Sequence, residues 1–149
     1  MFPTDITFPE TINIENQNDN LDVKVGRSFV FDYVKGQHVI VDGKPKETTE
    51  AQAIQQWLEL LVRTVIGKYT VYQNTKFGTT WEKYISYRQL PNGYIQSELE
   101  REIQESCNEY CPAIERVKDF TAERLRDGLI VSFTAELKNK QVLEVRVNV

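Results

Sequence analysis

Apolar side chains occupy every second position in two stretches of the chain. The first is Leu129, Val131, Phe133, Ala135 and Leu137; the second, past a polar break, is Leu143, Val145, Val147 and Val149. Alternation with period two predicts two strands with one apolar face each. Both faces must point the same way, or half the valines meet water, so paired residues differ by an even count. Pairing Leu137 with Leu143, Phe133 with Val147 and Val131 with Val149 satisfies that. This register centres the turn on Lys140, with Asn139 tolerant of left-handed geometry, and sets Glu136 opposite Glu144 at a cost.

Upstream the period changes. Ile54, Trp57, Leu58, Leu61, Val62, Val65 and Ile66 recur at steps of three and four, one wide stripe on a helix. Thr49 with Gln52 fits a capping box, and Gly67 fits the C′ stop. Each buried side chain of that stripe contributes about 1.5–3 kcal/mol before entropy is subtracted, which makes this helix the expected centre of the core. Over residues 94–110, Ile95, Leu99, Ile103, Cys107 and Tyr110 predict a second long helix ended by Pro112. A short helix is expected over 80–85, extended chain over 69–72, and a strand or extended lead-in over 114–120. Ser28–Val34 reads as a strand with Phe29, Phe31 and Tyr33 on one side. His38–Val41 reads as its hairpin partner, ended by DGKP. Residues 1–28, with Pro3, Pro9 and the run ENQNDN, read as an extended polar arm. The expected fold class is α+β: small β-sheet hairpins at both ends packed with two long helices and one short helix, residues 29–149 forming one domain.

Composition narrows the functions. The chain has 149 residues, 40% apolar and 27% charged, with a net charge of −4 and scattered Lys and Arg. That fits an ordinary globular chain and not a nucleic-acid binder. The first residues show no basic and apolar leader, and no apolar run nears the ~18 residues of a membrane span, so synthesis and folding in the cytosol are expected. Cys107 and Cys111 have only His38 to join them as ligands, too few for zinc; they read as small buried side chains ahead of a redox pair. The seven glycines lie singly at turns, and neither a phosphate loop nor GxSxG occurs. Glu98, Glu102 and Glu105 read as a solvated helical row. Tyr69, Tyr72, Phe77, Trp81, Tyr84 and Tyr87 read as core and interface aromatics before sugar-stacking ones. Neither catalysis nor a cofactor or metal is expected.

The stretch LLVRTVIGKYTVYQNTKFGTTWEKYI resembles the baseplate wedge proteins of contractile phage tails and tailocins, among them the sheath initiators, and more narrowly a Firmicutes prophage tail subgroup. Leu61, Thr64, Gly67 and Lys68 match a helix ending in a small-residue and basic step. Phe77-Gly78 match a loop pair, and the helix running into Pro112 matches a second step. The likeness covers roughly residues 25–149. Many members carry Glu-Pro-Arg where this chain has Cys111-Pro112-Ala113, with Glu115 and Arg116 following. The resemblance implies a structural subunit of the virion or tailocin baseplate, assembled in the bacterial host cytoplasm, that anchors or nucleates the tail sheath by β-strand addition. Leu129, Val131, Phe133, Leu143, Val145, Val147 and Val149 would carry the sheath contact. Lys68, Tyr69, Phe77, Gly78, Trp81, Pro112, Glu115 and Arg116 would face other wedge proteins, with the tail tube or hub as a further partner and no nucleic acid or membrane. The alternatives are a lysozyme-like peptidoglycan hydrolase of a phage tail and a tail protein of a non-contractile phage.

Overall fold

The computed structural model of this protein describes residues 28–87 and 89–149, so the arm expected over 1–28 lies outside the described residues except for Ser28. Within them the chain is mixed helix and sheet. Four two-residue strands come first: β1 (Phe31–Asp32), β2 (Gln37–His38), β3 (Ile40–Val41) and β4 (Lys44–Pro45). Helix α1 (Glu50–Arg63) follows, then a 3-10 turn (Thr70–Tyr72), the short α2 (Trp81–Ser86) and α3 (Asn92–Tyr110). Strands β5 (Ile114–Arg124), β6 (Leu129–Leu137) and β7 (Val142–Asn148) form one antiparallel sheet in the order β5-β6-β7. Helix α3 packs over β5 and α1 over β7.

Helix α1 starts where the capping box places it. Gln52 N–H donates to Thr49 Oγ1 at 3.3 Å and Thr49 N–H to Gln52 Oε1 at 3.0 Å. Ile54, Leu58, Leu61 and Val62 are buried as their spacing requires. The helix stops at Arg63, short of the expected Gly67. Thr64 is extended, and its N–H and Oγ1 turn back to Leu60 O at 2.9 and 2.7 Å. Val65 then pairs in parallel with Thr79: Ile66 N–H donates to Thr79 O at 3.0 Å and Thr79 N–H to Thr64 O at 2.8 Å. This long-range bridge outweighs the helical period of Val65 and Ile66. Residues 70–72, expected extended, make the 3-10 turn. In α3, Ile95, Leu99, Ile103 and Cys107 are all buried, and Pro112 stands two residues beyond its end.

The sheet packs one face and wets the other. Leu129, Val131, Phe133, Ala135 and Leu137 of β6 and Leu143, Val145 and Val147 of β7 are buried under the helices. On the other face Ser132, Thr134 and Glu136 are half-buried, and Val142, Glu144, Arg146 and Asn148 are exposed. The β6–β7 register differs by two residues from the expected one: Ala135 stands opposite Leu143, Phe133 opposite Val145 and Val131 opposite Val147. Parity is kept, so the faces are right. Turn chemistry chooses among the even registers. Lys140, not Asn139, takes the left-handed conformation (φ 70°), while Asn139 Oδ1 accepts from Gln141 N–H at 3.0 Å. Glu144 then faces Thr134, and the clash expected between Glu136 and Glu144 does not arise.

The N-terminal strands form two small hairpins; Val30 and Asp32 are buried, while Phe29 is exposed and Phe31 and Tyr33 are half-buried. Asp32 is buried because Oδ1 accepts from Val34 N–H at 2.8 Å and Lys35 N–H at 3.0 Å, an Asx turn. The DG of DGKP ends β3, as expected, and turns it into β4, both residues at positive φ (50° and 75°), so β3 pairs with β4 and only β2 pairs with β1. Beside these hairpins lies buried Glu59, whose Oε1 takes Arg63 Nε at 3.0 Å and Nη2 at 2.9 Å. Arg63 also lies over the Tyr33 ring, 5.3 Å from its centroid. Burial pushes the Glu59 carboxyl up to about 7 even though Arg63 pulls it down. Burial, then Glu59, raises the Tyr33 phenol.

Two outcomes follow for stability. Gly78 sits at φ +123°, and a Cβ there would lie 2.6 Å from Thr64 O, a backbone atom of the bridge. Gly78→Ala is expected to cost about 2–4 kcal/mol in chemical denaturation; a loss below the scatter of such measurements would contradict the tight crossing. Glu59 has a folded-state value above its ordinary 4.5, so the folded chain binds more protons than the unfolded chain between about 4.5 and 7. Its contribution is therefore complete at low pH and lost as pH rises through that window. From pH 5 to 8 the wild type is expected to lose roughly 2–3 kcal/mol more unfolding free energy than Glu59→Gln. Parallel pH profiles for the two proteins would refute this.

Candidate functional site

The three-stranded sheet has two rims, and they differ. On the β5 rim the pairing with β6 shifts register between Ile114 and Arg116 and again between Lys118 and Thr121. Asp119 stands at φ 52°, and Val117 N–H is taken by Gln104 Oε1 of α3 at 2.7 Å. Bulges and a helix-borne acceptor are how proteins close an edge to foreign strands. The β7 rim is regular. Leu129 and Val149 exchange N–H···O bonds of 2.8 and 2.9 Å, which fixes the phase of the ladder. In that phase Leu143, Val145 and Val147 turn their backbone groups to β6, and Val142, Glu144, Arg146 and Asn148 turn theirs away. No described strand pairs with that side of β7.

The predicted sheath-contact residues divide on this geometry. Leu129, Val131 and Phe133 lie on the central strand, with β5 and β7 on its two sides and their side chains in the core. Leu143, Val145 and Val147 are also core side chains; Val149 is partly buried against the core. What β7 turns outward is main chain. Gln55 of α1 reaches that rim: its Nε2 donates to Glu144 O at 2.7 Å. Sequence reasoning missed Gln55. The available signal was its place beside the apolar stripe, in line with Glu59 four residues on, the two buried polar residues of α1.

The predicted wedge-contact residues do not form one patch. Phe77 is a core residue, with ring centroids 4.8 Å from Tyr72, 5.7 Å from Trp57 and 5.8 Å from Tyr110. Gly78 permits the Thr64–Thr79 crossing, and Trp81, half-buried, donates Nε1–H to Arg63 O at 3.4 Å. Lys68 and Tyr69 are exposed, Lys68 paired with Glu82. Pro112, Glu115 and Arg116 are exposed at the other end of the sheet. Glu115 there meets Lys140 at 3.1 Å and Arg116 meets Glu136 at 2.8 Å, and Arg116 holds the Glu136 carboxyl below its ordinary range.

The groups weighed for chemistry are engaged otherwise. Arg101 bridges Glu98 at 2.9 Å and Glu105 at 3.1 Å. Glu102 is buried and accepts from Thr80 N–H at 3.0 Å and Thr80 Oγ1–H at 2.6 Å, which ties α3 to the start of α2. An open groove of about 580 Å³ runs past this row, lined in part by Lys76, Arg101, Glu105 and Asn108. Cys107 and Cys111 are free thiols, both buried, and burial pushes Cys107 up to about 12 and raises Cys111. Neither is poised as a thiolate at neutral pH. Among the described residues no cluster of three metal-ligating side chains occurs and no helix is long and apolar enough to cross a membrane.

Comparison with the curated proteins gives no match. A family model matches over residues 27–140, which takes in both small hairpins, all three helices, β5 and β6. Its description is the contractile injection system sheath initiator, and the chain belongs to this family of structural, sheath-associated proteins of contractile particles.

Proposed function

We propose that this chain sits in the baseplate of a contractile particle and starts or anchors the tail sheath by accepting an extended segment of a sheath subunit along the outer rim of β7. One observation carries the reading: among the described residues β7 is paired on one side only, and its other side is a regular row of backbone donors and acceptors. Such a row templates strand addition; main-chain bonds supply affinity and alternate side chains select the partner. Val142, Glu144 and Arg146, exposed beside that row, would read the incoming segment. Leu129, Val131, Phe133, Leu143, Val145, Val147 and Val149 act from behind, by holding the sheet rigid. The wedge side uses the exposed members of the predicted set, Lys68, Tyr69, Pro112, Glu115 and Arg116, with Phe77, Gly78 and Trp81 shaping the loop that presents the first two.

The test removes the rim without removing the strand. Arg146 N–H points away from β6, so Arg146→Pro deletes an outward donor and places a ring on the rim while the β6–β7 ladder stays intact. Particles carrying Arg146→Pro are expected to form baseplates, seen by electron microscopy, but sheathed tails should fall at least about tenfold, the effect of roughly 1.4 kcal/mol of lost docking. Sheathed tails at wild-type abundance would refute docking on this rim.

A further inference from the structure

Two adjacent glutamines of α1 handle extended backbone differently. Gln56 is satisfied at both ends of its carboxamide: Nε2 donates to Phe29 O at 3.0 Å, and Oε1 accepts from Phe31 N–H at 2.9 Å. It therefore holds residues i and i+2 of one extended segment, as a neighbouring strand would. Gln55 makes half of the same arrangement on β7. Its Nε2 donates to Glu144 O, yet its Oε1 is buried and accepts no hydrogen bond, although Arg146 N–H stands two residues along on the same side of the strand. Gln55 is only 8% exposed, so its idle oxygen is not reached by bulk water.

We propose that Gln55 is a releasable guard of the β7 rim, a side-chain amide that occupies at Glu144 the place taken by the main-chain N–H of a docked strand, and that it leaves when an extended segment of another chain arrives. This rests on the reading of β7 as the docking rim. A carboxamide satisfied at both ends, as in Gln56, is a fixture. One with a buried, unpaired oxygen carries the desolvation of that atom as a standing penalty. Swinging outward returns both amide ends to water, so displacement is cheap. While in place, the guard covers the row at Glu144 and leaves Val142 on one side of it and Arg146 on the other as the groups a strand meets first. The guard thus suppresses pairing between copies of the chain, the hazard of any flat open rim, without closing the rim to its partner.

The full chain tests this, with a second copy as the probe strand. Gln55→Leu and Gln55→Met keep the side-chain bulk and remove the amide. In sedimentation equilibrium both are expected to self-associate at concentrations at least about tenfold below the wild type. Adding Arg146→Pro to either should return self-association to the wild-type level, because it blocks the same rim. Thermal melts select the variant that folds cooperatively; Gln55→Met, the more adaptable side chain, is read if Gln55→Leu does not. Wild-type self-association in a folded Gln55 variant overturns the guard, as does association that Arg146→Pro leaves unchanged. The two readings fail separately. Tighter self-association with normal sheaths on Arg146→Pro particles keeps the guard and removes the sheath partner. Sheath loss with Arg146→Pro, but no effect of the Gln55 variants, does the reverse.

Discussion

Leu129, Val131, Phe133, Ala135 and Leu137 are removed from water while the backbone of their strand is paired on both sides. A strand so enclosed has no freedom of register: slipping by one residue would turn its five apolar side chains to the wet face, and slipping by two would break the turn at Lys140. The two flanking strands take their positions from β6. Strand β7 is laid down on it by the Asn139–Gln141 turn, β5 by the return through Gly128, and the helices cover the face it defines. Even the approach at Gly128 is set there, since a Cβ would lie 2.2 Å from Val149 O.

Because β6 is saturated, any partner strand must come to a rim, and the rims are unequal. On β5 the helix side supplies Gln104, and the strand itself supplies two register shifts. Both act against a long added ladder. On β7 the outward main chain is met by the Gln55 side chain. The difference arises in α1 and α3, which lie over opposite rims and lend glutamines to the nearest backbone. Gln104 meets an N–H with its oxygen, whereas Gln55 meets a carbonyl with its nitrogen and leaves the oxygen idle. The same residue type thus takes a backbone donor on one edge and a backbone acceptor on the other.

Much of this was legible in the chain. The capping box at Thr49, the apolar face of α3, the stop before Pro112 and the alternating faces of β6 and β7 are local patterns, and each appears where its period places it. What was not legible depended on distant contacts. Helix α1 ends early because Thr64 and Ile66 bond to Thr79. The hairpin register followed from which of two neighbouring residues, Asn139 or Lys140, takes positive φ, and parity alone leaves that open. In the first hairpin the pattern put Phe29, Phe31 and Tyr33 on one side without saying which side is buried; Asp32 goes in, because its carboxylate is consumed by the turn it makes. The candidate site was half readable. The strands were visible, whereas the side of β7 left open required knowing that β5 lies on the far side of β6. Glu115 and Arg116, exposed as a partner contact requires, also pair with Lys140 and Glu136 across the end of the sheet, which their sequence positions alone do not reveal.

The core role of β7 and its proposed docking role use different atoms. Its odd-numbered side chains from Leu143 to Val147 belong to the core, and cutting the strand away would strip the apolar cover beneath α1 as well as any docking rim. Its even-numbered backbone groups contribute nothing to the ladder with β6. On the proposed function, stability and docking sit on alternate residues of one seven-residue strand, and chemistry confined to the even positions separates them. The period of two that first betrayed the strand in the sequence is also what lets a small sheet bury one set of side chains while the backbone of the alternate residues stays outside the β6–β7 ladder.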